Sequence, residues 1–200
     1  MRSTSQGEPP SASPAAPRVA RRRAATRDRI VAVAARLFAR SGADAVRMDD
    51  VADAADVARG TLYSHFRTKD ELLCAIVVPV LELAVGKMEA LGRLSARERV
   101  DALLRLYLEL WHAHPDALRI AYKAQDMPLG ELGNLHRSFL KGLMRVFESA
   151  RRAGALRSKD PVLAGHVMRM VAVPLLELYG RHADGDRLFV EGLRALLLAE

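Results

Sequence analysis

The segment VADAADVARGTLYSHFRTKDELL, from Val51 to Leu73, constrains the fold more than any other stretch of the chain. Taking roughly 100° per residue from Arg59 onward, Leu62 and Phe66 fall on one side and can pack inward. Gly60, Thr61 and Ser64 point the opposite way, with Tyr63 and His65 on the flanks. The preceding run, Asp49 to Ala55, keeps Val51, Ala52 and Ala55 on one face, and alanines there let two helices cross closely. The pattern predicts a helix-turn-helix whose second helix is narrow on its outer side. Such a helix can lie deep in the major groove of DNA while longer polar side chains at its edges reach the phosphates of the two walls.

This segment resembles the DNA-binding domain of TetR-type transcriptional repressors, with GTLYSHFRTKDEL at Gly60 to Leu72 standing almost as that family writes it. The resemblance covers Thr26 to Leu73, about a quarter of the chain. It implies an all-α protein: a disordered basic arm at 1–23, a three-helix DNA-binding domain at 24–70, and a helical ligand-binding and dimerisation bundle at 71–200. It implies base reading by Arg59, Gly60 and Thr61 and phosphate contacts from Tyr63, His65 and Lys69, with Ser64 on the same outer face. Three positions depart from the family pattern. Arg47 stands where a capping Thr is usual and could itself hold a phosphate; Asp56 replaces the Gly of the turn; Ala58 replaces a Ser or Thr cap, a change worth roughly 0.5–2 kcal/mol locally. Asp is among the residues that best tolerate a left-handed backbone, so the turn is expected to survive.

The net charge of +7 is concentrated. Between Arg18 and Arg40 stand eight arginines against the single acid Asp28, a local excess equal to that of the whole chain. A basic arm leading into a DNA-reading domain can add salt-sensitive phosphate contacts, the alternative being a solvated tail. The first residues lack the apolar core of a secretory signal, and one cysteine forms no internal disulfide, which points to a reducing cytoplasm. No run approaches the apolar length that crosses a bilayer, so no membrane partner is expected.

Helical spacing of Ile30, Val33, Ala34, Leu37 and Phe38 predicts a first helix from Thr26, stopped by Ser41-Gly42. Further helices are expected from Lys69 to about Leu91, kinked or broken by Pro79, and over Ala96–His114, Asp116–Lys123, Gly130–Ala153, Pro161–Tyr179 and Asp186–Leu198, with Pro174 inside the penultimate one. Several are apolar nearly all round and must be enclosed by neighbours. Tyr107, Trp111, Tyr122, Met127, Phe139 and Met144 are the residues expected near a small apolar or amphipathic effector, against simple core packing for each. The pocket itself comes from the resemblance, as does dimerisation through the last two helices, which carry Val167, Met168, Met170, Val171, Leu175 and Leu176, then Leu188, Phe189, Leu193, Leu196 and Leu197.

The histidines lack ligand-like spacing, Cys74 reads as a small packed thiol, and no nucleophile, base and orienter set stands out. No metal, cofactor or enzymatic activity is expected. The leading reading is a homodimeric repressor that binds a palindromic double-stranded operator and is released by a ligand. An architectural DNA-binding protein, or a helical enzyme or carrier with a vestigial motif, are the alternatives.

Overall fold

The computed structural model describes residues 15–123 and 130–199. Among them run nine α-helices and a short 3₁₀ turn, with no strand beyond one isolated bridge between Leu156 and Leu198. The first helix, α1 (Ala15–Ser41), is longer than the periodicity suggested. Thr26 does not start it; its Oγ1 donates 3.0 Å back to the Arg22 carbonyl in mid-helix. Residues 15–23, assigned by sequence to the arm, are therefore its opening turns. Ala and Arg are strong helix formers, and Pro17 is tolerated in a first turn, so nothing stops the helix from extending that far. At the other end, Gly42 closes it with φ of 85°, a left-handed value that suits glycine. Ile30, Val33, Ala34 and Phe38 are buried and Leu37 half-buried, as their spacing predicted.

Next come α2 (Met48–Ala54) and α3 (Arg59–His65), joined by a turn in which Asp56 takes φ of 50°. Val51, Ala52, Ala55, Leu62 and Phe66 are all at most 3 % exposed, so the two short helices close on each other and on α1. A long α4 (Lys69–Ala90) comes after them and runs unbroken through Pro79, which is exposed, on a side where water can serve the carbonyl a proline leaves without its donor. It spans the division expected at residue 70. The remaining helices are α5 (Ala96–Ala113), α6 (Pro115–Lys123), α7 (Gly130–Arg152), α8 (Pro161–Tyr179) and α9 (Gly185–Leu197).

α4 packs against α7, α5 and α6, and α6 in turn lies on α1, so the helix that carries α2 rests on the C-terminal half. The bundle of α7, α8 and α9 is filled by Leu143, Phe147, Met168, Leu176, Phe189 and Leu193. With 19 residues and a mean hydropathy of 1.4, α8 does reach the length and apolarity of a membrane-crossing helix, which corrects the expectation that no segment would. Its apolarity has a different physical use. One side is buried against α7 and α9, and the other stays on the outside of the bundle.

Candidate DNA-binding surface and apolar cavity

The outer surface of α3 is set by how its ends are held. Arg47, at the N-terminus of α2, does not cap through its side chain. Instead its backbone N–H donates 2.7 Å to the Asp50 carboxylate, so the acid that seemed misplaced near DNA secures the helix end. Asp49 has a different partner: its carboxylate lies 3.4 Å from the Arg59 guanidinium across the turn. This exposed pair adds little stability, but it aims Arg59 from the first turn of α3. Ala58 offers no cap, as its chemistry dictates. Downstream the ends are better secured. Thr68 Oγ1 accepts the Glu71 N–H at 3.1 Å, and the Glu71 carboxylate accepts the Arg67 N–H at 2.7 Å.

Arg59, Gly60, Tyr63 and Ser64 are exposed; Thr61 and His65 are half-buried. The Ser64 hydroxyl donates 2.7 Å to the Thr61 carbonyl, folding it onto its own helix. Gly60 carries the sharpest signal. No other segment or side chain lies within 4 Å of where a Cβ would stand, and its φ is not left-handed. Glycine in a helix costs roughly 0.5–1 kcal/mol relative to alanine, and nothing inside the molecule requires it here. The smallness faces outward.

His65 sits at the end of α3 against the amino-terminal part of α1. Burial first, and then the guanidinium groups of Arg23 and Arg27, hold its imidazole below the ordinary range, so it is neutral at pH 7. Lys69 is the predicted phosphate ligand with an internal commitment. Its Nζ donates 2.8 Å to the Ala43 carbonyl, tying the start of α4 to the loop after α1.

In the C-terminal half, an apolar cavity of about 60 Å³ lies between α4, α5, α6, α7 and α8. Tyr107, Tyr122 and Phe139 line it, as expected, with the Tyr107 and Phe139 rings edge-to-face at 6.3 Å. Burial pushes the Tyr107 phenol up, so it stays protonated. Two other expected residues are absent from the lining. Trp111 is turned to the outer end of α8, where the Arg119 guanidinium stacks 4.4 Å over its ring and Gly180 leaves room for it. Met144 packs its sulfur against Gly165 of α8 instead. Met127 lies outside the described residues. Sequence reasoning did not place His136 and Arg169, the two polar nitrogen-bearing side chains of the wall, at the cavity: His136 has polar neighbours in Asn134, Arg137 and Ser138, and Arg169 stands in an apolar run.

One link between the cavity wall and the amino-terminal helices runs through α6. α6 contributes Leu118, Ala121 and Tyr122 to the wall, and Lys123 at its end donates 3.2 Å from Nζ to the Ala39 carbonyl of α1. Four residues on is the carbonyl of Ala43, held by Lys69.

The last two helices divide their apolar residues between inside and outside. Met168, Leu176, Phe189, Leu193 and Leu197 are buried, whereas Val167, Val171, Leu175 and Leu188 are half-buried. Leu163, Met170, Pro174 and Leu178 are exposed, and their spacing places them on one stripe of α8, with Leu178 70 % exposed. On α9, Leu196 is exposed, and Gly192 and Ala195 keep the adjoining surface low, with open space beside Gly192.

Residues 30–76 match the model of bacterial regulatory proteins of the tetR family. The chain is similar to the HTH-type transcriptional repressor KstR2 of Rhodococcus jostii (strain RHA1), 30 % identical over 73 % of this chain and 76 % of that protein. Its fold is similar to that of the ketosteroid transcriptional regulator KstR2 of Mycobacterium tuberculosis, with TM-score 0.73 and 19 % identity over 87 % of this chain and 95 % of the other. It is similar also to that of AibR in complex with isovaleryl coenzyme A and operator DNA, with TM-score 0.69 and 21 % identity over 86 % and 97 %. With a helix-turn-helix of the matching geometry and a relative of this identity and coverage, the chain belongs to the TetR family of transcriptional regulators.

Proposed function

We propose that the protein is a homodimeric repressor that binds a palindromic operator through α3 and is released when a small molecule enters the cavity between α4 and α8. It acts by binding rather than catalysis, in the cytoplasm with the DNA. The observation that carries the DNA half is the low, exposed outer face of α3: Gly60, which like Gly86 and Gly192 has open space beside it, leaves that face shallow, and Arg59 and Thr61 flank it for base edges. Tyr63 and His65 stand at the sides for phosphates. Lys69 keeps two further N–H donors beyond its bond to Ala43 and serves the same wall, as does Arg47 at the head of α2.

The effector half rests on the cavity and its connection. About 60 Å³ is far less than the several hundred a drug-sized ligand fills, so any sizeable effector must part the walls, α6 among them. α6 is bonded to α1 through Lys123. A ligand that prefers the parted arrangement therefore weakens operator binding through its differential affinity for the two states. AibR, seen with both an acyl thioester and operator DNA, supports this pairing of ligands in one such fold.

Selection from a random duplex pool tests the reading, with an enriched two-fold symmetric site as the expected result. On that site Gly60→Ala is expected to act with opposite signs. It raises folding stability by about 0.5 kcal/mol and weakens operator binding at least about tenfold, because the added methyl meets base pairs rather than protein. Paired thermal melts and binding titrations read both. Equal operator affinity for the variant would remove Gly60 from the interface, and a pool without a symmetric site would end the repressor reading.

A further inference from the structure

The family match begins at residue 30, and half of α1 lies ahead of it. On that leading half, Ala20, Arg23, Ala24 and Arg27 recur at helical spacing on one face and form one wall of an open groove, with His65 of α3 as the other. The two alanines leave the floor low. Arg27 is fixed there, its guanidinium 5.1 Å over the Phe66 ring just past the end of α3. Among the described residues, neither Arg23 nor Arg27 is paired with an acid, in a protein whose other arginines include several that are: Arg59, Arg119, Arg151, Arg187 and Arg194.

Two guanidinium groups and an imidazole around an open, acid-free groove make a receptor for one anion. The groove adjoins the end of α3, on the flank that carries His65. An anion there is the one that DNA presents beside a helix in its major groove.

We propose that Arg23, Arg27 and His65 clamp a single backbone phosphate, so that the leading turns of α1 form a sequence-independent part of the DNA contact. This rests on the DNA-binding reading above and adds to it a site built jointly from α1 and α3. The leading part, Ala15 to Arg29, is about four turns of helix, and Arg18, Arg21 and Arg22 stand on its other faces, away from the clamp.

The test is the salt dependence of binding for the wild type, Arg23→Gln, Arg23→Lys and Arg23→Gln/Arg27→Gln, each on the selected operator and on an unrelated duplex. Loss of one phosphate contact lowers the slope of log K against log salt by about 0.9, equivalent to about a 3.5-fold smaller change in affinity between about 50 and 200 mM salt. That flattening is expected for Arg23→Gln on both duplexes, with their affinity ratio unchanged, and Arg23→Lys is expected to restore most of the slope. Arg23 is exposed, so its variant tests the clamp without disturbing the fold; the double variant, which removes the Phe66 contact, is read only beside its thermal melt. A wild-type slope in Arg23→Gln, or a loss confined to the operator, would overturn the clamp. Absence of wild-type binding to either duplex would overturn the DNA-binding reading itself, a distinct outcome.

Discussion

Met170→Glu together with Leu178→Glu is expected to give a folded monomer that holds the operator about 10³-fold more weakly than the wild type, the order of the gap between specific and nonspecific binding. Both side chains stand on the outer stripe of α8, 48 % and 70 % exposed, so charging them disturbs little inside the subunit. In the homodimer proposed above, the exposed residues Leu163, Met170, Pro174 and Leu178, bordered on α9 by Leu196 and by the low surface of Gly192 and Ala195, form the face that meets the second copy across a two-fold axis. Four carboxylates meeting at such an axis repel and are desolvated. A single helix-turn-helix contacts only a few base pairs, and separating the subunits leaves each to bind its half-site alone. Sedimentation at micromolar concentration and operator titration measure the two consequences together. A variant that remains a dimer moves the interface elsewhere; a monomer with undiminished affinity removes the need for two-fold recognition.

Gly185→Ala is expected to destabilise the fold by about 3 kcal/mol, at the upper end of what overpacking costs. An alanine Cβ at this position would stand 2.2 Å from the Tyr179 carbonyl oxygen and 3.0 Å from its carbon. Those are backbone atoms at the end of α8, with no flexible side chain to yield. The turn is further pinned because His182 N–H donates 2.8 Å to the same Tyr179 carbonyl and Gly185 N–H donates 3.0 Å to the His182 carbonyl. Relief must therefore come from moving α9 against α8, which disturbs the packing of Phe189 and Leu193 under Met168 and Leu176. Urea unfolding monitored by circular dichroism measures the loss. A change below about 0.5 kcal/mol would mean that the turn deforms freely and does not set the angle between these helices.

The elements most legible in the sequence were those whose information is local. Pro115, Pro161, Gly42 and Gly154 mark helix ends by backbone geometry alone, α8 has the bounds expected of it, and α3 starts at Arg59 as the register was set. The start of α1 was misread for the same reason: between Pro17 and Gly42 the chain has no breaker, and the apolar stripe begins later than the helix does. Side-chain direction in the bundle is a different kind of quantity, because it depends on which helices become neighbours. Tyr107 and Phe139 reached the cavity, but Trp111 is buried under a guanidinium and against a glycine at the far end of α8, and Met144 found Gly165. The apolar residues of α8 and α9 could not be sorted into inner and outer sets from periodicity, since a helix with two dry faces shows little contrast around its circumference. The acids of α2 looked awkward only because their partners, the Arg47 backbone and the Arg59 side chain, are set by a turn.

Two ammonium groups reach the end of α1 from opposite parts of the chain, Lys69 from the DNA-reading side and Lys123 from the cavity wall, and each takes a carbonyl within the same short stretch, at Ala43 and Ala39. The two halves of the protein are thus bonded to neighbouring carbonyls at one end of α1. In the mechanism proposed above, displacement of α6 acts through Ala39 on the helix that supports α2 and α3.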